Sequence, residues 1–495
     1  MITLNLFKNT NSNKRYYTLD YFYKRKFGCK IAKISLNGGF TCPNIDGTKG
    51  YGGCIYCSKL GSGDFAGNKN DSLKKQFYDV KKIIDKKWKN CKYIAYFQAN
   101  TNTYAPIKIL KQKYEEVLKF DNVVGLSIAT RCDCISDECL DYLEDLSKRT
   151  FLTVELGLQT IHEKTANFIN RCHNLNEFTN MVKLLRKRNI NVVVHIINGL
   201  PYETKEMMLE TTNFLNKLNI QGIKIHMLHI VKNTQLAKIY SKEKFKILNE
   251  QEYVNIVCDQ LENLKPEIVI NRITGDPKKE DLIEPKWCLN KIDVLNNIDK
   301  TLLKRNTYQG FNLSILNKAK QIMDENLRPN DLVIDATVGN GYDTLFLAKL
   351  VNKGKVFGFD IQKKAINNTL KLTKGFNNII LYNDSHENMN KYFNFNTISL
   401  IIFNLGYLPN GDKSITTNYI STIKAIKQGI KLLNNKGIIL IVVYRGHKEG
   451  LKESIKINKF LKNSNYNINY YYNTDNINAP YLITIKKDFK QNTKN

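Results

Sequence analysis

Six short apolar runs, Ala32–Leu36, Tyr93–Phe97, Val123–Ala129, Phe151–Gly157, Asn191–Ile197 and Gly222–His229, are separated by stretches with helical spacing. The helical stretches are Leu73–Trp88, Ile107–Lys119, Asp137–Lys148, Asn176–Lys187 and Lys205–Asn219. Runs that are apolar nearly throughout fit parallel strands covered by helices on their outer face. Six such units predict an open, partial α/β barrel, with functional side chains at the C-terminal ends of the strands.

At 495 residues the chain exceeds what one core normally supports, so two or more domains are expected. Residues 1–310 read as the barrel, with a basic, aromatic arm ending near Phe27 and a lysine-rich extension after residue 240. Within that extension, Asn271–Pro285 is a polar interruption after the strand candidate Glu267–Ile270. Residues 311–495 read as a second α/β domain, and no Gly/Ser/Pro-rich linker separates the two.

The barrel's chemistry centres on Cys42, Cys54 and Cys57, spaced C-x11-C-x2-C in a glycine-rich loop. Two thiolates three residues apart suit one metal centre, and a flexible loop can return the third. Three thiolates with an open position suit a 4Fe–4S cluster whose fourth iron takes a small molecule. A zinc site, for which no fourth ligand lies close in sequence, and a set of incidental thiols are the alternatives. Cys132, Cys134 and Cys139 follow the third strand as C-x-C-x4-C, readable as a second metal centre, a single functional thiol at Cys134, or packing. His226 and His229 flank the end of the sixth strand as ligands or as structural histidines.

The cysteine loop resembles the cluster loop of radical S-adenosylmethionine (SAM) enzymes of the elongator-like branch. Further matching blocks are Ala95–Pro106, Glu155–Thr160, His195–Pro201 and Arg272–Pro277. The resemblance covers roughly residues 15 to 310 and implies that Cys42, Cys54 and Cys57 hold the cluster. SAM would then bind the open iron and, on reduction, give a 5′-deoxyadenosyl radical. Phe97, Gln98, Ser127, Arg131, Glu155 and Gln159 are the strand-end candidates for contacts to SAM or substrate. Cys134 is a catalytic candidate. Cys172 stands where the family has glycine, between the retained Arg171 and His173, which puts the local backbone geometry in question.

In the second domain, Asp331–Gly341 reads as a strand and a glycine turn, followed by the Asp343–Leu350 helix. Such a turn lets a ligand approach the backbone closely. The Val356–Asp360 strand ends in a carboxylate 25 residues beyond Asp335, as in a βαβ unit whose second acid binds ribose hydroxyls. The Asn383-Asp384-Ser385 turn follows a third strand, Ile379–Tyr382. The full G-x-G-x-x-G pattern is missing, so a class I, Rossmann-like methyltransferase fits better than a nicotinamide site or a purely structural domain. Asp335 would lie near the methionine end of SAM, Asp360 on the ribose and Asp384 near the adenine. Thr337, Gly339, Asn340, Gly341, Asp343, Thr344, Gln362, Ser385 and His386 complete the candidate SAM contacts.

After the next strand, Ile398–Phe403, comes Asn404-Leu405-Gly406-Tyr407. It resembles the Asn-Pro-Pro-Tyr signature of methyltransferases that act on exocyclic nitrogen. An Asn amide can orient an amine and a Tyr ring can stabilise the developing cation, which makes Asn404 and Tyr407 catalytic candidates. Asp335–Leu347, Asn404–Lys413 and Tyr444–Gly450 resemble small methyltransferases once labelled ribosomal-RNA methylases. Members of that family methylate the aminomethyl group of wobble uridine in transfer RNA. Arg445 stands where a histidine is common, and His447 remains available.

The formal net charge of +29 favours polyanion binding, although lysines dispersed over a solvated surface give the same sum. Eleven cysteines without compact disulfide spacing suit a reducing cytoplasm, and no apolar run is long enough to span a membrane. Together the two resemblances imply consecutive steps on one tRNA anticodon arm, with electrons from a flavodoxin- or ferredoxin-like donor. The first removes the carboxymethyl group of 5-carboxymethylaminomethyl-uridine, and the second methylates the amine so exposed. A pair of activities on another RNA or a small amine, or an iron–sulfur RNA-binding protein without turnover, are the alternatives.

Overall fold

The computed structural model describes residues 7–58, 61, 66–406, 416–472 and 478–489, and the chain divides into two compact units, Met1–Phe311 and Asn312–Asn495. In the first unit β1 (Ile31–Leu36), β2 (Lys92–Phe97), β3 (Val123–Thr130), β4 (Phe151–Gln159), β5 (Asn191–Asn198) and β6 (Gly222–Met227) lie side by side in chain order, all parallel. The expected sixth run stops at Met227. Ile230–Val231 (β7) leaves the sheet and pairs antiparallel with a later strand, Leu282–Glu284 (β9). A seventh parallel strand, β8 (Val269–Arg272), extends the expected six beside β6.

Four of the helices between these strands start where a side chain satisfies one of the first free amides. Ser72 Oγ accepts from the Lys75 N–H at 3.2 Å, and Asn174 and Glu177 exchange bonds as a capping box. Alternate strand residues Ile34, Phe97, Ile128, Leu156, Val194 and Ile225 belong to the apolar core of this unit. The residues between them, Lys33, Tyr96, Glu155, His195 and Lys224, line a cavity on the concave face.

The second unit holds β10 (Leu332–Asp335), β11 (Lys355–Phe359), β12 (Ile379–Tyr382), β13 (Ile398–Asn404), β14 (Leu433–Val443), β15 (Tyr466–Tyr472) and β16 (Tyr481–Phe489). The sheet order is β12-β11-β10-β13-β14-β16-β15, antiparallel only where β16 pairs with β14 and β15. Neighbouring residues serve opposite cores: Val333, Leu400 and Leu440 face one apolar cluster, and Ile334, Ile401 and Ile441 the other. Strand order reverses between β10 and β13, which opens a crevice at the carboxyl ends of those strands.

A tight approach fixes the entry to β11. A Cβ at Gly354 would stand 1.9 Å from the Asp331 carbonyl oxygen, which is backbone and cannot swing away. Gly354→Ala should therefore destabilise the C-terminal unit by about 1–3 kcal/mol, the range for overpacking. Urea unfolding of the full-length chain checks this as a lowered midpoint for that unit's transition.

Candidate active sites

The cysteine loop of the first unit is built by backbone bonds and by two side-chain amides, of which Asn44 is buried. The Gly53 N–H donates to the Asn44 carbonyl at 2.8 Å, and both Gly52 and Gly53 take φ +76, a left-handed conformation that glycine adopts without strain. Asn44 is fully buried and donates to the Asn170 carbonyl at 2.5 Å, with the Cys54 Sγ at 3.6 Å from the same amide nitrogen. Asn170 Nδ2 in turn donates to the Gly53 carbonyl at 2.8 Å. Two residues on, Cys172 adopts φ +58, so the backbone geometry expected of a glycine is kept with a cysteine in place.

Cys42, Cys54 and Cys57 all line one cavity of about 650 Å³, together with Arg131. A hydrogen bond from Cys57 pulls the Cys54 thiol down to about 6 against the effect of burial, and the Arg131 charge adds to the shift. Arg131 is held by Asp133 through two bonds of 2.9 Å and by the Arg171 carbonyl at 2.9 Å. Among the described residues no three His, Cys, Asp or Glu side chains converge on a single metal-ion position. A four-iron cluster does not ask for that, because each thiolate takes a different iron. Three thiols on one cavity, a fixed guanidinium beside them and a glycine loop fit such a group.

The same cavity holds a polar cluster to which each of the six strands contributes one side chain. Lys33 (β1) reaches Glu155 Oε1 (β4) at 2.6 Å, and Lys224 (β6) reaches Oε2 at 2.5 Å. Ser127 (β3) donates to Oε1 at 2.7 Å, Tyr96 (β2) to Oε2 at 3.0 Å, and His195 Nε2 (β5) lies 2.8 Å from Oε2. Burial alone would raise the Glu155 carboxyl, but Lys224 and Lys33 hold it well below the usual carboxylate range. Burial lowers the Lys224 ammonium to about 8 despite Glu155, and burial with the Lys224 charge lowers His195 to about 4. His195, Lys224 and Arg272 are partners in register across β5, β6 and β8, so they form a row on the concave face.

The expected contacts divide by strand parity. Gln98, Arg131, Glu155 and Gln159 line the cavity. Phe97, expected at the cofactor, points the other way into the apolar core beside Phe40 and Tyr114, because adjacent strand residues face opposite sides. Ser127, also expected there, is fully buried and braces Glu155 instead. Cys134 does not join the lining. Burial and the Asp133 charge push its thiol up to about 12, which disfavours a reactive thiolate. Cys132 and Cys139 are also pushed up to about 12, chiefly by burial. The sequence reading missed Lys33, Tyr96 and Lys224 as site residues. Their signal is one polar side chain at alternate positions of otherwise apolar strands.

In the second unit a cavity of about 980 Å³ opens at the crevice between β10 and β13, lined by Thr337, Gly339, Asn340, Asp343, Asp360, Gln362, Ser385, His386 and Asn404. Asp360 is fixed by backbone amides, accepting from Gly339 at 3.0 Å and Gln362 at 2.8 Å. Asn404 Nδ2 donates to Asp343 Oδ2 at 3.1 Å, and the Asn404 N–H donates to Thr337 Oγ1 at 2.6 Å. His386 Nδ1 lies 3.2 Å from the Ala336 carbonyl, while Nε2 is buried with no partner among the described residues. A carboxylate at the end of β11, a glycine turn and an unpaired imidazole nitrogen fit a polar nucleoside ligand such as SAM.

Four expected contacts do not join this lining. Asp335 is fully buried and accepts from Thr344 Oγ1 at 2.6 Å and the Thr337 N–H at 3.2 Å, so Asp335 and Thr344 brace the turn rather than face a ligand. Gly341 (φ +81) caps the Tyr342–Leu350 helix, and a Cβ there would stand 2.7 Å from Thr369 Oγ1. Asp384, expected near the adenine, spends its oxygens on the Ser385 N–H, Asn388 and Tyr392, leaving Ser385 and His386 at the cavity. Tyr407 falls on 407–415, outside the described residues.

Comparison with known proteins follows this division. Residues 48–215 match the Radical SAM superfamily, 220–304 the Radical SAM C-terminal domain, and 356–486 the family described as Putative rRNA methylase. The uncharacterized protein YtqA of Bacillus subtilis is 53% identical over 310 residues, which are 63% of this chain and 96% of that protein. The chloroplastic tRNA (mnm(5)s(2)U34)-methyltransferase of Arabidopsis thaliana is 38% identical over 148 residues, 27% of this chain and 54% of that protein. A solved structure described as a putative rRNA-methylase from Clostridium thermocellum is 40% identical, with 35% of this chain and 97% of that chain covered at a TM-score of 0.33. Among the described residues no helix is long and apolar enough to cross a membrane.

Burial, then the nearby Asp343 charge, push the Asp335 carboxyl up to about 7 from an ordinary 3.8. Below the ordinary value both folded and unfolded chains hold the proton. Above it only the folded chain does, until about 7, so stability falls as pH rises across that window. Asp360 and Glu453 are raised by burial in the same direction. Thermal unfolding at about pH 5 and about pH 8 should show the C-terminal unit less stable at the higher pH, with Asp335→Asn reducing the difference. An undiminished difference in the variant would rule Asp335 out as its source.

Proposed function

Because the chain belongs to the radical SAM superfamily and carries a C-terminal methyltransferase domain, it is an enzyme, and we propose that it modifies uridine 34 of transfer RNA in two consecutive steps. The barrel converts 5-carboxymethylaminomethyl-uridine, thiolated or not, to 5-aminomethyl-uridine. The C-terminal unit then N-methylates that amine to give 5-methylaminomethyl-uridine. The observation that carries this reading is the 38% identity between the C-terminal unit and a plant protein named as a tRNA (mnm(5)s(2)U34)-methyltransferase, found here in one chain with a barrel. The net charge of +29 supports an anticodon arm as the partner.

In the barrel, Cys42, Cys54 and Cys57 would hold a 4Fe–4S cluster, with Arg131 offsetting thiolate charge. The cluster with SAM supplies one-electron chemistry when bound, fed by a flavodoxin- or ferredoxin-like donor. The chain's own part is to exclude water and to fix the polar groups around Glu155, so that few solvent molecules must reorganise. In the second unit SAM supplies an electrophilic methyl group when bound. Asp360, already aligned by two backbone amides, is placed to accept ribose hydroxyls. Asn404, aligned by Asp343, is placed to orient the amine, and the Asp343 carboxylate lines the same cavity as a proton acceptor.

Nucleoside mass spectrometry of tRNA from cells carrying single variants separates the steps. Cys54→Ala should leave 5-carboxymethylaminomethyl-uridine, whereas Asp360→Ala and Asn404→Ala should accumulate 5-aminomethyl-uridine. Donor titration should show Asp360→Ala weakening SAM binding in the C-terminal unit by about 1–3 kcal/mol, with Asn404→Ala losing methyl transfer instead. One precursor shared by all three variants would sink the sequential reading.

A further inference from the structure

The polar cluster around Glu155 holds one cation more than its carboxylate needs. Lys33 already neutralises it and uses its remaining donors on Ser127 Oγ, at 3.1 Å, and the Tyr23 phenol. Lys224 is a second ammonium on the same carboxylate, its side chain only 10% exposed. Of its three N–H donors, one goes to Glu155 Oε2 and one to Tyr96 Oη at 3.1 Å. The third has no partner among the described residues. A buried ammonium with a spare donor is costly to keep unless an anion arrives to meet it.

The surroundings extend the same preference. Arg272, the next residue in the row, also lines the cavity, and its bond to Asp276 at 3.3 Å is shared with Lys291 at 2.8 Å. His226, ring centroid 5.4 Å from that of His195, makes no hydrogen bond among the described residues. Six lysine and arginine side chains line the cavity against three acidic ones. A carboxylate, small and planar, matches two neighbouring cationic donors in such a space.

We propose that Lys224, with Arg272 beside it, receives the carboxylate of the modified base, so that the barrel selects a uridine whose side arm ends in an acid. The inference rests on the uridine-modifying reading above and names the group that reading requires the barrel to recognise. The amino-acid end of SAM carries the same chemistry. The thiols that would hold the cluster, and SAM through its open iron, come however from the loop after β1, whereas Lys224 and Arg272 stand within β6 and β8.

The test compares two anticodon stem-loop RNAs on the full-length, anaerobically reconstituted chain. One carries 5-carboxymethylaminomethyl-uridine and the other its methyl ester, and both binding and conversion are measured. The unaltered chain should favour the acid by about tenfold, the scale of one charge-assisted hydrogen bond. Lys224→Met should bring that ratio to within about twofold, and Lys224→Arg should keep most of it. Arg272→Gln, at a side chain 39% exposed and therefore tolerant of change, should lower the ratio about threefold. A ratio unchanged by Lys224→Met overturns the proposal. So does a variant that needs more SAM while keeping the ratio, which would assign the cation to SAM. If Lys224→Met fails to fold, an unchanged ratio in Arg272→Gln overturns it instead. A chain that binds acid over ester through Lys224 but converts neither RNA would uphold the carboxylate site and remove the proposed reaction.

Discussion

Glu155 is the point on which the first unit's shape and chemistry both depend. In a flat sheet β1 and β4 would lie about 14 Å apart, three spacings of about 4.8 Å. Lys33 nevertheless reaches Glu155 at 2.6 Å across the concave face, which only a strongly curved sheet allows. With Tyr96, Ser127, His195 and Lys224 each arriving from a different strand, the cluster closes only when all six strands hold their register. A one-residue slip of any strand would turn its polar side chain into the apolar core. The buried charges thus specify one curvature and one register, whatever their net contribution to stability.

The second unit reaches its site by a different route. Its lining carries the carboxylates of Asp343 and Asp360 with Lys320, and Asp360 is placed by backbone rather than by a counter-charge. Asp360 is held by the amides of Gly339 and Gln362, while Asp335 sits below the turn and is pushed toward the neutral form, by burial first. A cavity arranged this way suits a ligand with hydroxyls and a cationic centre, whereas the barrel suits one with an acid. Two sites that both fit SAM therefore differ in what else they would accept.

Much of this was readable from the chain because strand periodicity carries it. The near-continuous apolar runs located all six first strands, and the 25-residue interval from Asp335 to Asp360 located the ends of β10 and β11 beside the second unit's cavity. What failed was parity within those runs. Phe97 and Gln98 are neighbours in sequence, and only the pleat decides that Gln98 faces the cavity and Phe97 the helices. Asp335 and Asp384 failed for another reason: a carboxylate at a strand end can serve its own turn as readily as a ligand, and local hydrogen bonds decide which. Lys33 and Lys224 went unnoticed because a lone lysine in a basic chain reads as surface charge.

Lysines contribute to the charge of this protein in two physically different ways. A sum of +29 identifies a class of partner and nothing finer, since lysines spread over the surface attract any polyanion and are screened by salt over about 10 Å. Lys224 contributes one unit to the sum yet works by another rule. Its ammonium is nearly excluded from water, fixed between Glu155 and Tyr96, and screened far less. Surface charge can bring an RNA to the barrel without distinguishing one modified base from another. A cation at a fixed place in the lumen can make that distinction, because an ester would leave the ammonium without a counter-charge and a shorter arm would leave a buried N–H without a partner.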